Sequence, residues 1–222
     1  MSSMTNLSVK ENEIVIARYQ EDISWSYVYR DICLIYNKGS KALEYQCENV
    51  VQLNNVGREA HTYLYHIINR WDYLADKTLF TQGNIADHIG TNTDLRIFFD
   101  KGFDFIVKNG LYIRDYDPIN GRLPHNNKWL KDLETGKMRK AKQSFTEWCV
   151  TVLKIDFKGD PVFYGPGAIF SVSKELIYKK PITFYKHLLS FLEDHSNPEE
   201  GHYFERTWVY IFCNSHSNIL TF

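Results

Sequence analysis

The apolar positions of this chain fall into two kinds of run. Residues 13–19 (EIVIARY), 32–39 (ICLIYNKG), a short run within ENVVQL, and 76–84 (DKTLFTQGN) are brief and rich in β-branched and aromatic residues. Each is followed by a polar or glycine-bearing turn, the pattern of strands buried in a sheet. Between them, residues 23–31 (ISWSYVYRD) carry Ile23 and Tyr27 at helical spacing. The segment GREAHTYLYHIINRWDYL sets apolar residues at 60, 64, 67, 68, 71 and 74, an amphipathic helical stripe. Strand, helix, strand, strand, helix, strand predicts an α/β fold, an open and mostly parallel sheet with helices on both faces.

The second half is less regular. DLRIFFDKGFDFIV fits a strand or a helix with a turn at Gly102. The stretch from Arg114 to Trp129 carries Pro118, Gly121 and Pro124 among polar residues and reads as a long loop. Residues 161–177 (PVFYGPGAIFSVSKELI) predict a strand broken by Gly-Pro-Gly and followed by a helix. Residues 183–194 (TFYKHLLSFLED) predict another helix, and 197–213 a loop running into a last one. No linker or repeat interrupts this, so residues 1–222 read as a single domain whose first 12 residues, mostly polar, are flexible.

In an open parallel sheet, ligands bind outside the carboxyl ends of the strands. Three polar clusters fall at those ends: RYQED with Arg18, Tyr19 and Glu21; YNKG with Tyr36 and Asn37; TQGN with Gln82, Gly83 and Asn84. A fourth, NNVGRE, opens the amphipathic helix with Asn55, Gly57, Arg58 and Glu59. Gly57 permits a tight turn or a close backbone approach, Arg58 can fork onto a phosphate, and helix-start amides favour anions. The same residues also fit a plain helix start, with Glu59 as a cap and Arg58 paired to an acid. Asp87 and His88, with Asn84, are candidate ligands for a divalent cation, or a cap and a surface ring. Gly165 and Gly167 flank a proline in a rigid turn where a substrate could approach. Near the end, Glu205 shares a helix face with Trp208. A carboxylate beside an indole is partly dehydrated, which favours a general base, and pairing with Arg206 is the structural alternative.

Composition narrows the field. A formal net charge of −1 argues against nucleic acid, and the one basic run, 137–142, reads as a solvated face. Hydrophobic residues make up 44% of the chain and aromatics 15%, enough for a full core with rings to spare for stacking on a ligand. Four scattered cysteines without a CxxC suggest reduced thiols. No signal-peptide pattern and no apolar run near about 18 residues is seen, so no membrane span and a cytoplasmic location are expected.

The ordered series VIARYQEDISW, IYNKG, NVGREAHTYLYHII, LFTQGN, GPGAIFSVSKELI and FERTW resembles an uncharacterised domain family of fungi, bacteria and large DNA viruses that is often described as glycosyltransferase-like. The likeness spans residues 13–213. The layout is similar to the nucleotide-sugar domain of GT-A glycosyltransferases. That similarity implies a nucleotide-sugar donor held by Arg18, Tyr19, Glu21, Tyr36, Asn37, Asn55, Gly57, Arg58 and Glu59, and a glycan or glycoprotein acceptor. It implies Glu205 as the general base, with Tyr203 and Trp208 stacking on a sugar ring. It also implies a divalent metal, Mn²⁺ or Mg²⁺, on the diphosphate. Where GT-A enzymes carry Asp-x-Asp, this chain has Gln82-Gly83-Asn84. Neutral amides compensate little of an ion's charge, so either Asp87 or His88 helps, or a cation such as Arg58 takes over. The departure also admits a non-catalytic nucleotide- or sugar-binding module.

Overall fold

A computed structural model describes residues 10–90, 93–214 and 216–222; most of the polar amino-terminal stretch lies outside them. The first half builds β1 (Asn12–Arg18), β2 (Cys33–Asn37), β3 (Val50–Gln52), α1 (Arg58–Asn69) and β4 (Lys77–Gln82), followed by the four-residue α2 (Ala86–Ile89). The second half adds β5 (Phe105–Val107), β6 (Leu111–Ile113), α3 (Asn127–Glu134), α4 (Phe145–Trp148), β7 (Val162–Tyr164), β8 (Phe170–Ser173), α5 (Lys174–Tyr178), α6 (Ile182–Leu189), α7 (Glu200–Phe212) and β9 (Ile219–Thr221).

Seven strands form one sheet in the order β3-β2-β1-β4-β8-β5-β9. β1 pairs in parallel with both β2 and β4, β2 with β3, and β5 with β9; β8 alone is reversed against its neighbours β4 and β5. The sheet is therefore mixed but mostly parallel, and the α/β expectation holds at that level. β6 and β7 form a separate antiparallel pair.

The two faces of the sheet are covered differently. One carries α1, α4, α5, α6 and α7 over Val15, Leu34, Phe80, Phe105 and Phe170. On the other, Ile14, Ile16, Ile35, Leu79 and Ile106 meet Ile23, Ile85, Ile89, Leu95 and Phe98, which lie in or beside α2 and short 3-10 turns. The segment read as a helix at 23–31 is one such turn, Ser24–Tyr29. Serine, β-branched valine and aromatics propagate an α-helix poorly, so a single tight turn suffices to cover the sheet.

The aromatic content is largely a core property. Phe170 stacks on Phe105 at 5.2 Å between ring centres and meets Phe80 at 5.5 Å and Trp208 at 5.3 Å, while Trp208 also touches Tyr63, Phe204 and Phe212. Trp208 and Tyr203 are thus buried, and the Tyr203 hydroxyl donates to the Gln143 carbonyl at 3.0 Å. The expectation that these two rings stack on a sugar is corrected. Trp208 faces the sheet and Tyr203 packs on Phe145 and Trp148 of α4, and apolar burial holds both there. The loop over residues 114–126 is irregular as expected. Replacing Phe170 by Ala should cost about 3–5 kcal/mol, read as a lower midpoint in urea with an unchanged slope.

Three buried histidines make the fold acid-sensitive, His66 among them, which burial pushes down to about 3. Burial pushes His202 down to about 2, helped by the charges of Arg58 and Arg206, and His61 down to about 4, helped by Lys38. His202 Nε2 and His61 Nδ1 find no hydrogen-bond partner among the described residues. All three rings are therefore neutral in the fold and take up protons near pH 6.5 only when unfolded. Their contribution is complete above that pH and is lost as the pH falls, His61's by about pH 4 and the others' below it. The urea midpoint should drop over this window, and His202→Phe should flatten the drop.

Candidate functional site

Chain direction around the sheet reverses between β1 and β4: β2 and β3 extend to one side of β1, and the later strands extend from β4 to the other. Such a switch point leaves a crevice at the carboxyl ends of the two strands. A cleft of about 220 Å³ opens there, lined from β1 by Tyr19 and Glu21, from β2 by Lys38, from the start of α1 by Asn55, Arg58 and Glu59, and from β4 by Gln82. Ser196 closes it from the loop before α7. Larger hollows, about 520 Å³ beside Arg30 and Cys47 and about 430 Å³ around Lys77, lie at the amino ends of strands, away from this convergence.

Arg18 ends β1 fully buried, and its guanidinium is turned inward. It donates to the carbonyls of Glu21, Lys41 and Ala42 at 2.9, 2.9 and 3.0 Å and to Asn37 Oδ1 at 2.8 Å, with Glu44 at 3.6 Å. An arginine has five N–H donors; four are hydrogen-bonded here, and the guanidinium also faces Glu44 at 3.6 Å. Arg18 therefore shapes the rim, and its guanidinium is not offered to a ligand. Glu21 is similarly committed: Oε2 accepts from the amides of Tyr19 at 2.6 Å and Gln20 at 3.1 Å. Gly83 makes room for this carboxylate, since a Cβ there would lie 2.8 Å from it.

At the end of β2 the structure departs from expectation. Tyr36 points under the sheet, with its hydroxyl 3.1 Å from His66 Nδ1, and Asn37 is bonded to Arg18, Gly39 and Gln52. Successive side chains take opposite faces: Tyr36 lies deeper in the strand under α1, Asn37 faces the other way, and Lys38, on the face of Tyr36 but just past the strand's end, stands at the rim. Neither lines the cleft; Lys38 does. Its ammonium, 8% exposed, donates to the carbonyls of Val56 at 2.6 Å and Arg58 at 2.5 Å. Burial pushes this amine down to about 7, against the opposing influence of Glu59. A lone lysine in a glycine turn ordinarily reads as solvated, so nothing local in the sequence singled it out.

The start of α1 is built on left-handed backbone. Gly57 has φ +61° and Arg58 φ +53°. A Cβ on Gly57 would lie 2.6 Å from both Cβ and O of Leu192, so the chain approaching this glycine is the protein's own. The amides of Gly57 and Arg58 donate to the carbonyls of His195 and Ser196 at 2.8 and 3.3 Å. Any anion at this helix start would therefore meet later amides. The Arg58 side chain is about one-third exposed and reaches Asn197 Oδ1 at 3.3 Å, while its buried Nε is ion-paired with Glu59 Oε2 at 3.5 Å, outside hydrogen-bond geometry.

Beyond β4, Gln82 Nε2 donates to the Gly167 carbonyl at 3.2 Å, and the Gly167 amide donates to Glu205 Oε1 at 3.0 Å. Gly167, at φ +80°, packs against the His88 ring, and Gly165 packs against Val107. Glu205 thus stands two hydrogen bonds from the cleft, with Oε2 3.8 Å from Arg206, beside a small crevice lined by Tyr164, Gly165 and Trp208. Asn84 and Asp87 bond each other at 2.7 Å, and Asn84 Oδ1 accepts the Ala86 amide at 3.2 Å. No cluster of three His, Cys, Asp or Glu placed to hold an ion occurs among the described residues. An amide and one exposed carboxylate that face each other, outside the cleft lining, do not fit a protein-held divalent ion.

Fold and site together define an α/β protein with a small polar cleft, lined by Lys38 and Arg58 with Glu21 and Glu59, at the switch point of a mostly parallel sheet. The chain belongs to the family described as protein of unknown function (DUF3431), which matches residues 14–220. A search of curated proteins returns no match. No helix among the described residues is long and apolar enough to cross a membrane.

Two substitutions test this architecture. Gly57→Ala should lose roughly 1–2 kcal/mol to left-handed backbone, and more to the clash with Leu192. Arg18→Met should lose at least about 1–3 kcal/mol by orphaning buried carbonyls. Both would be read by urea unfolding.

Proposed function

We propose that the cleft holds the diphosphate of a nucleotide sugar and that the protein is a glycosyltransferase of the GT-A kind, moving a hexose or deoxyhexose to a glycan or glycoprotein acceptor. One observation carries this reading. Lys38, Arg58 and Gln82, far apart in the chain, converge at one rim where the strand order reverses, and the charge they present suits an anion. Tyr19, about half exposed at the mouth, offers a ring face for a nucleobase.

Glu205 is the candidate general base. One oxygen is fixed by the Gly167 amide, and a carboxylate retains further acceptor positions for an acceptor hydroxyl. It would take the proton of that hydroxyl as the oxygen attacks the anomeric carbon. The bond to the nucleoside diphosphate breaks, and the cationic wall stabilises the charge on the leaving group. A second reading, a nucleotide- or sugar-binding module without turnover, is favoured by the position of Glu205 outside the cleft lining.

Calorimetric titration with a panel of nucleoside diphosphates and nucleotide sugars, with and without Mn²⁺, tests the reading. Binding tighter than about 1 mM, near 4 kcal/mol, is expected for at least one; its absence throughout would overturn the proposal. Glu205→Gln should leave that affinity within about threefold, since an uncharged isostere keeps the amide contact, and lower transfer or donor hydrolysis by about 10²–10⁴-fold. Unchanged turnover would remove Glu205 from the mechanism, and no turnover in the native protein would leave the binding module.

A further inference from the structure

The geometry points to Lys38 as the built-in counter-charge of this cleft: its ammonium grips a phosphate-bearing anion where a divalent ion would otherwise stand. This rests on the reading of the cleft as a diphosphate site and goes beyond it by naming what neutralises the ligand.

Lys38 is held from two sides. Its amide donates to the Arg18 carbonyl at 2.8 Å, continuing the β1–β2 ladder, and its ammonium is fixed by the carbonyls of Val56 and Arg58. An ammonium has three donors, so one remains for the cleft that Lys38 lines. The acceptors that hold it are neutral, and no carboxylate among the described residues lies within salt-bridge distance. The charge is also set against the amino end of α1, where the helix dipole is already positive. A nearly buried cation at a positive helix end is unfavourable alone and favourable beside an anion. Arg58 adds a second positive group at the same wall, its Nε ion-paired with Glu59 at 3.5 Å.

The residues expected to hold a metal do not compete for this role. Asn84 and Asp87 satisfy each other, His88 packs on Gly167, and the three stand outside the lining of the cleft. The charge on a diphosphate thus meets Lys38 and Arg58, with Glu59 paired to Arg58 and Glu21 held by its own amides.

Proton coupling follows from the same placement. The groups facing Lys38 are Arg58, Glu59 and His61 on α1, Glu21 and Tyr19 after β1, and the inward guanidinium of Arg18. Glu21 is fixed by its own amides, and burial keeps His61 neutral above about pH 4. Lys38, at about 7 in the free protein, is largely uncharged at pH 8. An anion beside it favours the charged form and raises its pKa. Binding at pH 8 should therefore take up a proton, and affinity should fall as the pH rises from 7 to 9.

Inorganic pyrophosphate and a uridine or guanosine diphosphate are titrated calorimetrically into the full chain, in EDTA and in Mn²⁺, in two buffers of different ionisation enthalpy. The native protein should bind in EDTA, with affinity changed less than about threefold by Mn²⁺, and should take up a proton at pH 8. Lys38→Met should weaken binding about ten- to hundredfold, the loss of a charge-assisted contact, while Lys38→Arg retains part of it. Thermal unfolding shows whether each variant is folded. If Lys38→Met is unfolded, proton uptake and binding in EDTA by the native chain decide. Nucleoside diphosphate binding that requires Mn²⁺, or that takes up no proton at pH 8, would overturn the role of Lys38 and leave the cleft's function standing. No binding of either probe under any condition would overturn both.

Discussion

The arrangement at the sheet's carboxyl edge depends on one buried guanidinium. Arg18 leaves β1 and turns back into the protein, where it gathers the carbonyls of residues 21, 41 and 42 and the side chain of Asn37. A buried charge is tolerable when its donors are satisfied, and here they are satisfied mainly by loop carbonyls. Those carbonyls fix the path of the chain on either side of β2. The Arg18 main chain then accepts the Lys38 amide, so the residue that orders the loops also sets the position of the amine in the cleft. Function at this rim is thus divided between a cation that builds and a cation that faces outward.

Much of the fold was legible in the chain because the early strands are short, apolar on both faces and punctuated by polar turns. The alternation around β1, β2, α1 and β4 led directly to a mostly parallel sheet and to a ligand rim at its carboxyl edge. What escaped depended on contacts remote in sequence. β9 is three residues long and pairs with β5 more than a hundred residues earlier; nothing in Ile219–Thr221 alone announces a strand. The reversal of β8 follows from its packing between β4 and β5, which no local period records.

The site was legible as a set of segments and less so as a set of side chains. Three strand-end clusters were found, but pleating and depth along the strand decide which member of each faces the cleft: Asn37 takes the opposite face, Tyr36 shares the face of Lys38 but lies deeper under α1, and Lys38 reaches the rim. Arg18 looked like a ligand contact because exposed and buried arginines are identical in sequence. Trp208 and Tyr203 looked like stacking rings for the same reason, whereas the aromatic core claims both. Ser196 arrives from a loop distant from every cluster and carries no signal of its own.

The left-handed glycine at the start of α1 bears on how relatives of this chain should be compared. When sequences of the family are aligned, a column that never varies invites interpretation as chemistry. Position 57 would resist change for a different reason, since the Leu192 backbone lies where any side chain would begin. Invariance there would report a steric contact between two distant loops. A column that alternates between lysine and arginine at position 38 would say more about the ligand.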